Sequence, residues 1–124
     1  MLNRMAFLAV GVVVAAAPSL VTGQEASAPN RAVYDSACSS CHGPTMGGGH
    51  GPPLHGETFM EKWRGKTAAE LASYIQMTMP ADSPGSLTDE DTVGIVDLII
   101  HENRLAARPK AGASLKDLEQ IKID

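Results

Sequence analysis

The chain has 124 residues, which suits one domain. Fourteen acids stand against ten Lys and Arg, for a formal charge of −4, which argues against nucleic acid or an anionic membrane surface as partner. Aromatic residues make up only 4%, so large apolar side chains for a self-sufficient core are scarce.

Residues 1–23 read as a secretory signal. Arg4 is the charged start, Met5 to Ala17 is an apolar run, and Pro18 breaks it. Val21-Thr22-Gly23 offers small residues for cleavage, and Ala26-Ser27-Ala28 would serve as a second point. The run is short for a membrane span; its retention as an N-terminal anchor is the alternative. Removal of Arg4 with the signal makes the balance more acidic still. Residues 24–30 form a polar, Pro-containing lead-in, expected to be flexible. Residues 31–124 remain as the folded domain.

A helix is expected from about Arg31, with Asn30 as its N-cap. Val33, Tyr34, Ala37 and Cys41 fall on one apolar face, and the helix delivers Cys38 and Cys41 to the same side. Cys38-Ser39-Ser40-Cys41-His42 then reads C-x-x-C-H, the attachment pattern for a c-type haem. Each thiol can form a thioether with one haem vinyl group. Two thiols on one helical turn can lie over one edge of the porphyrin, and the imidazole that follows sits under the iron. Zinc would need further ligands, and only His50, His55 and His101 could supply them. A thioredoxin-like pair would need a βαβ context, which is missing. A plain disulfide would have no use for His42.

Gly43 to Pro53 holds five glycines and three prolines, so no helix is expected there. Glycine lets such a loop approach a flat ring closely. The stretch ends in Gly51-Pro52-Pro53-Leu54-His55-Gly56. C-x-x-C-H followed by G-P-x-L-x-G resembles class I cytochrome c, an all-α fold of three to five helices wrapped around one covalently attached haem. The resemblance runs from about Arg31 to Asn103. It implies that the Pro52 carbonyl accepts a hydrogen bond from Nδ1 of His42, and that Leu54 lies against the haem face. The bond would fix the imidazole's orientation and raise its basicity. His55 reads as a surface residue.

Phe59 and Trp63 are spaced to face inward on a short helical turn. Trp63 has two readings. One is core packing; the other, which resembles the role of a tryptophan in some family members, is an indole N–H aimed at a haem propionate. Thr67 to Met77 reads as a helix with a Thr67/Glu70 capping box and an apolar stripe of Leu71, Ile75 and Met79, with Ala68 and Ala72 alongside. The family's distal ligand is a methionine commonly followed by proline, which matches Met79-Pro80. Proline biases Met79 out of the helix, so its side chain can reach across to the iron. Met77 is the rival; Met46 and Met60 lie too near the proximal side.

Pro84-Gly85 marks a turn, and Thr88 caps a helix with Asp89, Glu90 and Asp91 in its first turn. Val93, Val96 and Ile100 form its stripe, widened by Ile95 and Ile99. In the family this helix crosses the first one, and Gly94 would allow close crossing. A last short helix is expected over Ser114–Ile121. This tail resembles that of cytochromes that accompany periplasmic quinoprotein dehydrogenases.

The resemblance implies an exported, periplasmic, monomeric electron carrier rather than an enzyme, with one haem c on Cys38 and Cys41 and with His42 and Met79 as axial ligands. Its redox partners would be a dehydrogenase, of the quinoprotein kind, and a terminal oxidase. The alternative is a haem enzyme or gas-binding protein, peroxidase-like, with an open sixth position.

Overall fold

In the computed structural model, residues 30–124 are described; the expected signal segment and the expected flexible lead-in up to residue 29 lie outside them. Five α-helices follow one another: α1 Arg31–Ala37, α2 Ser39–His42, α3 Glu57–Trp63, α4 Ala68–Thr78 and α5 Asp89–Glu102. A 3-10 helix, Leu115–Gln120, ends the chain. Among the described residues there is no strand, only an isolated antiparallel bridge between Thr67 and Lys122. The all-helical architecture is the one expected.

α5 is the axis of the core. A simple amphipathic stripe was expected, but Thr92 to Val96 and Leu98 to Ile100 are all buried. The helix is enclosed because α1, α4 and the tail all touch it. Buried Thr92 donates its hydroxyl to the Thr88 carbonyl at 2.9 Å, so no polar group is stranded there. Thr88 also caps the helix, accepting from the Asp91 N–H at 3.0 Å.

Gly94 lies where α1 enters against α5. A Cβ placed there would fall 1.1 Å from Nδ2 of Asn30. This explains why Asn30 does not cap α1 as expected. Its backbone is left-handed (φ 59°) and its side chain makes no capping bond; it fills the notch at Gly94 instead.

α4 begins as expected. Thr67 accepts from the Glu70 N–H at 3.1 Å, and the Glu70 carboxylate accepts from the Thr67 N–H at 2.7 Å. Its buried face is Ala68, Leu71, Ala72 and Ile75. The last segment is a 3-10 helix rather than an α-helix, opened by Ser114 and Asp117. Beyond it the chain pairs with residues 65–68. Gly65 N–H donates to Ile123 (2.7 Å), Ile123 N–H to Lys66 (2.9 Å) and Ala68 N–H to Ile121 (2.8 Å). The last bond satisfies an otherwise free N–H in the first turn of α4. Leu118, Ile121 and Ile123 are buried beneath it.

Candidate functional site

The motif is built on a bent helix. One helix was expected to carry both cysteines, but it breaks at Cys38 (φ −125°, ψ −35°), which ends α1 and starts α2. Hydrogen bonding continues across the bend: Cys38 N–H donates to Tyr34 at 2.9 Å and His42 N–H to Cys38 at 2.9 Å. Cys41 N–H reaches the same Cys38 carbonyl at 3.2 Å, so the two thiols remain one turn apart. Both cysteines are free thiols, Cys38 half-buried and Cys41 exposed. Burial pushes the Cys38 thiol up to about 11, and the neighbouring Cys41 adds to the rise.

His42 is buried at the end of α2. Its Nδ1 lies 2.8 Å from the Pro52 carbonyl oxygen, so Nδ1–H is the donor and Nε2 keeps its lone pair. Among the described residues Nε2 has no protein partner. The loop that brings Pro52 round is closed by backbone bonds, from Gly48 N–H to His42 (2.8 Å) and from Gly51 N–H to Cys41 (2.8 Å). Glycine at position 51 favours this close approach, since a Cβ would sit a tight 3.0 Å from Nδ1 and Cε1 of His42. Gly43 leaves α2 at φ +84°, where a Cβ would meet the Gly48 carbonyl at 2.9 Å.

Three residues hold this loop in roles that the sequence did not suggest. Tyr34, fully buried, donates its hydroxyl to the Gly43 carbonyl at 2.6 Å. Met46, also fully buried, accepts from the Leu54 N–H at 2.9 Å through its carbonyl. Asn103 caps α5 and reaches back. Its Nδ2 donates to Ile99 (2.8 Å) and Leu54 (2.9 Å), and its Oδ1 accepts from the Gly56 N–H (3.0 Å). Leu54 is half-buried against the core under this clip.

Trp63 is buried at the end of α3 between Phe59 and Tyr74, its ring centroid 5.5 Å from that of Tyr74. Lys62 Nζ sits 4.1 Å from the Tyr74 centroid and 5.3 Å from Trp63. Trp63 N–H has no protein acceptor among the described residues. Met79 stands just past α4 with an extended backbone (φ −124°, ψ 150°), half-buried against the core. Met77 is 68% exposed.

Among the described residues no group of three or more His, Cys, Asp or Glu could hold a metal ion, which removes the zinc reading. His50 is exposed. His55 lines an open groove with Arg64 and Asp124, and His101 pairs with Glu102 at 3.7 Å on the exposed end of α5.

The family model described as cytochrome c oxidase, cbb3-type, subunit III matches residues 25–99. The chain belongs to this cytochrome c family. No curated protein and no solved structure matches it. Membership implies electron transfer by a covalently bound haem c. The donor set fits that group, with two free thiols one turn apart and an adjacent imidazole whose outer nitrogen is unengaged. The match ends inside α5, so the clip at Asn103 and the docked tail lie beyond it. Among the described residues no helix is long and apolar enough to cross a membrane.

Proposed function

We propose that this cytochrome c is an exported, single-haem carrier that passes one electron at a time, with His42 and Met79 as axial ligands. The observation that carries this is the 2.8 Å contact between His42 Nδ1 and the Pro52 carbonyl, directly after two free thiols. Haem, when attached, supplies the one-electron couple. Cys38 and Cys41 would hold it by thioethers, and His42 would ligate through Nε2. The Pro52 carbonyl fixes the ring's orientation and makes Nε2 a better donor.

Met79 is favoured as the second ligand because the helix ends before it and its backbone is extended, as proline at the next position requires. Met77 lies on the solvent stripe of α4 with Glu70 and Ser73. A thioether opposite the imidazole would favour the reduced iron, raise the potential and close the site to substrates. Leu54 and Trp63 would border the haem. The family model's description names an oxidase subunit, which supports an oxidase on the acceptor side. The tail's resemblance to companions of quinoprotein dehydrogenases supports such an enzyme as donor. The signal segment supports a periplasmic location, and the carrier would be monomeric.

Carbon monoxide added to the reduced protein tests the ligand. The wild type should bind it slowly or not at all, as read by the Soret band. Met79→Ala should bind it rapidly and show a lower potential, with haem still on the chain after denaturation. Met77→Ala should match the wild type. Rapid binding by the wild type would instead establish the open-site reading.

A further inference from the structure

We propose that the C-terminal tail, residues 105–124, is a strap that positions α4 and, through α4, Met79. The proposal rests on the carrier reading, in which Met79 is the distal ligand, and adds what holds that ligand in place.

α4 cannot fix its own place. It has 11 residues, fewer than the ~12–15 that an isolated helix needs for even marginal stability in water. Its capping box sets where it starts, not what it leans on. Packing supplies that, from α5 and from the 3-10 helix of the tail. Small side chains let the tail come close: Ala69 and Ala72 line the seam with Leu115. Leu118, fully buried, and Ile121 and Ile123 share one core with Leu71 and Ile75.

The tail is tied at two points. Arg108 grips both carboxylate oxygens of Asp97 on α5, at 2.9 Å each. Residues 105–113 carry no helix or strand. At the far end, Gly65 and Ala68 donate to the carbonyls of Ile123 and Ile121, and Ile123 donates to Lys66. Those partners form the corner between α3 and α4, directly after Trp63. The strap therefore runs from α5 to the start of α4.

Met79 is tied to the other end of α4. Its N–H donates to the Ile75 carbonyl at 2.8 Å, and the Thr78 hydroxyl donates to Tyr74 at 2.7 Å. The Met79 backbone thus moves with the helix, although its side chain is free to turn away from it. Apolar burial in the strap does not aim Met79. It holds the body to which the aiming bond is attached. Strap, α4 and Met79 should then open as one unit, before α5 does. The family match ends at residue 99, so the whole strap lies beyond it.

Amide hydrogen exchange in the reduced, haem-loaded full chain tests this. The N–H groups of Gly65, Ala68, Met79 and Ile123 should exchange at a common opening frequency in the wild type. Leu118→Ala should speed all four by a common factor, roughly thirtyfold or more. Ile123→Val is a milder cut that keeps the fold, and should speed them by about two- to tenfold. Leu98→Ala, a cut of the same size as Leu118→Ala but in α5, should leave the four within about threefold of wild type. Carbon monoxide, which must wait for Met79 to leave, should bind reduced Leu118→Ala faster than wild type by a factor similar to that of the amides. The opened form stays a minor state, so the resting Soret band should not move. Strap amides that speed up while Met79 keeps its wild-type rate would overturn the proposal. So would an equal response of Met79 to Leu98→Ala. Rapid carbon monoxide binding by the wild type would remove the ligand reading alone, and the amide rates would still decide the strap.

Discussion

The described chain has two unequal halves, a short first one to Gly56 and a long second one from Glu57, and they are held together differently. From Asn30 to Gly56 only Tyr34, His42 and Met46 are buried. Order there comes from donors aimed at backbone carbonyls: Tyr34 on Gly43, His42 on Pro52, Gly48 on His42, Gly51 on Cys41 and Leu54 on Met46. From Glu57 onward the core is apolar, built from Phe59, Trp63, Leu71, Ile75, most of α5 and the tail's Leu118, Ile121 and Ile123. Each hydrogen bond in the first half contributes only about 0.5–1.5 kcal/mol net, but it fixes direction. Each fully buried aliphatic side chain in the second contributes roughly 1.5–3 kcal/mol and has little say over the direction of any one group. The half that would present an imidazole to iron is therefore the half built for direction. Covalent attachment of a large apolar ring would give it the burial it lacks.

Breaking the second half should have the largest effect. Leu98 is fully buried in the middle of α5. Leu98→Ala should cost roughly 2–5 kcal/mol, seen as an earlier denaturant midpoint. The haem-loaded variant should keep its Soret position and potential, because Leu98 belongs to the apolar half. A spectral change as large as the stability change would mean that the two halves are not separable.

The same division decides what could be read in advance. α4 and α5 announce themselves through local signals, since Thr67 with Glu70 and Thr88 with its acids act within one turn. Met79 leaves the helix because the residue after it is proline, also a local effect. The motif identifies the thiols and imidazole, and the C-x-x-C-H and G-P-x-L-x-G pair points to a cytochrome c domain, the level at which the family match agrees. The bend at Cys38 was not legible, because helical bonding persists on both sides of it. Asn30 looked like a cap because nothing local says that Gly94, far along the chain, leaves a notch for it. Met46 sits in a glycine-rich loop with no periodicity to mark an inward face, yet it is fully buried. Asn103 reads as an ordinary polar residue after a helix, and its partners Leu54 and Gly56 are 49 and 47 positions away.

Asn103 is where the two halves join, so it gives the next largest effect. Asn103→Ala would strip the Gly56 N–H and the Leu54 carbonyl of their side-chain partner. A loss of about 1–3 kcal/mol is expected, the range for groups left without a partner. Amide exchange should speed up at Gly56 before it changes in α5. Exchange that rises uniformly across the chain would place Asn103 in the general core and not at a joint.

The smallest effect tests the first half alone, and its direction depends on pH. Tyr34→Phe removes the hydroxyl from the Gly43 carbonyl, which keeps the Met46 N–H at 3.2 Å. With one partner retained, the cost at neutral pH should be about 1 kcal/mol. Burial pushes the Tyr34 phenol up from 10.0 to about 12; Cys38 adds to the rise and Arg31 opposes it. The folded state therefore holds its proton where the unfolded chain has begun to lose it. Below about pH 10 both states are protonated, and the contribution of Tyr34 is fully present. Between about 10 and about 12 the unfolded chain binds fewer protons, so this contribution fades as pH rises. The gap in stability between wild type and Tyr34→Phe should be constant from neutral pH to about 10 and should narrow above it. Denaturation series at matched pH values would show this. A gap that widened above pH 10 would mean that the phenol is held as its anion, and that Tyr34 does not donate to Gly43.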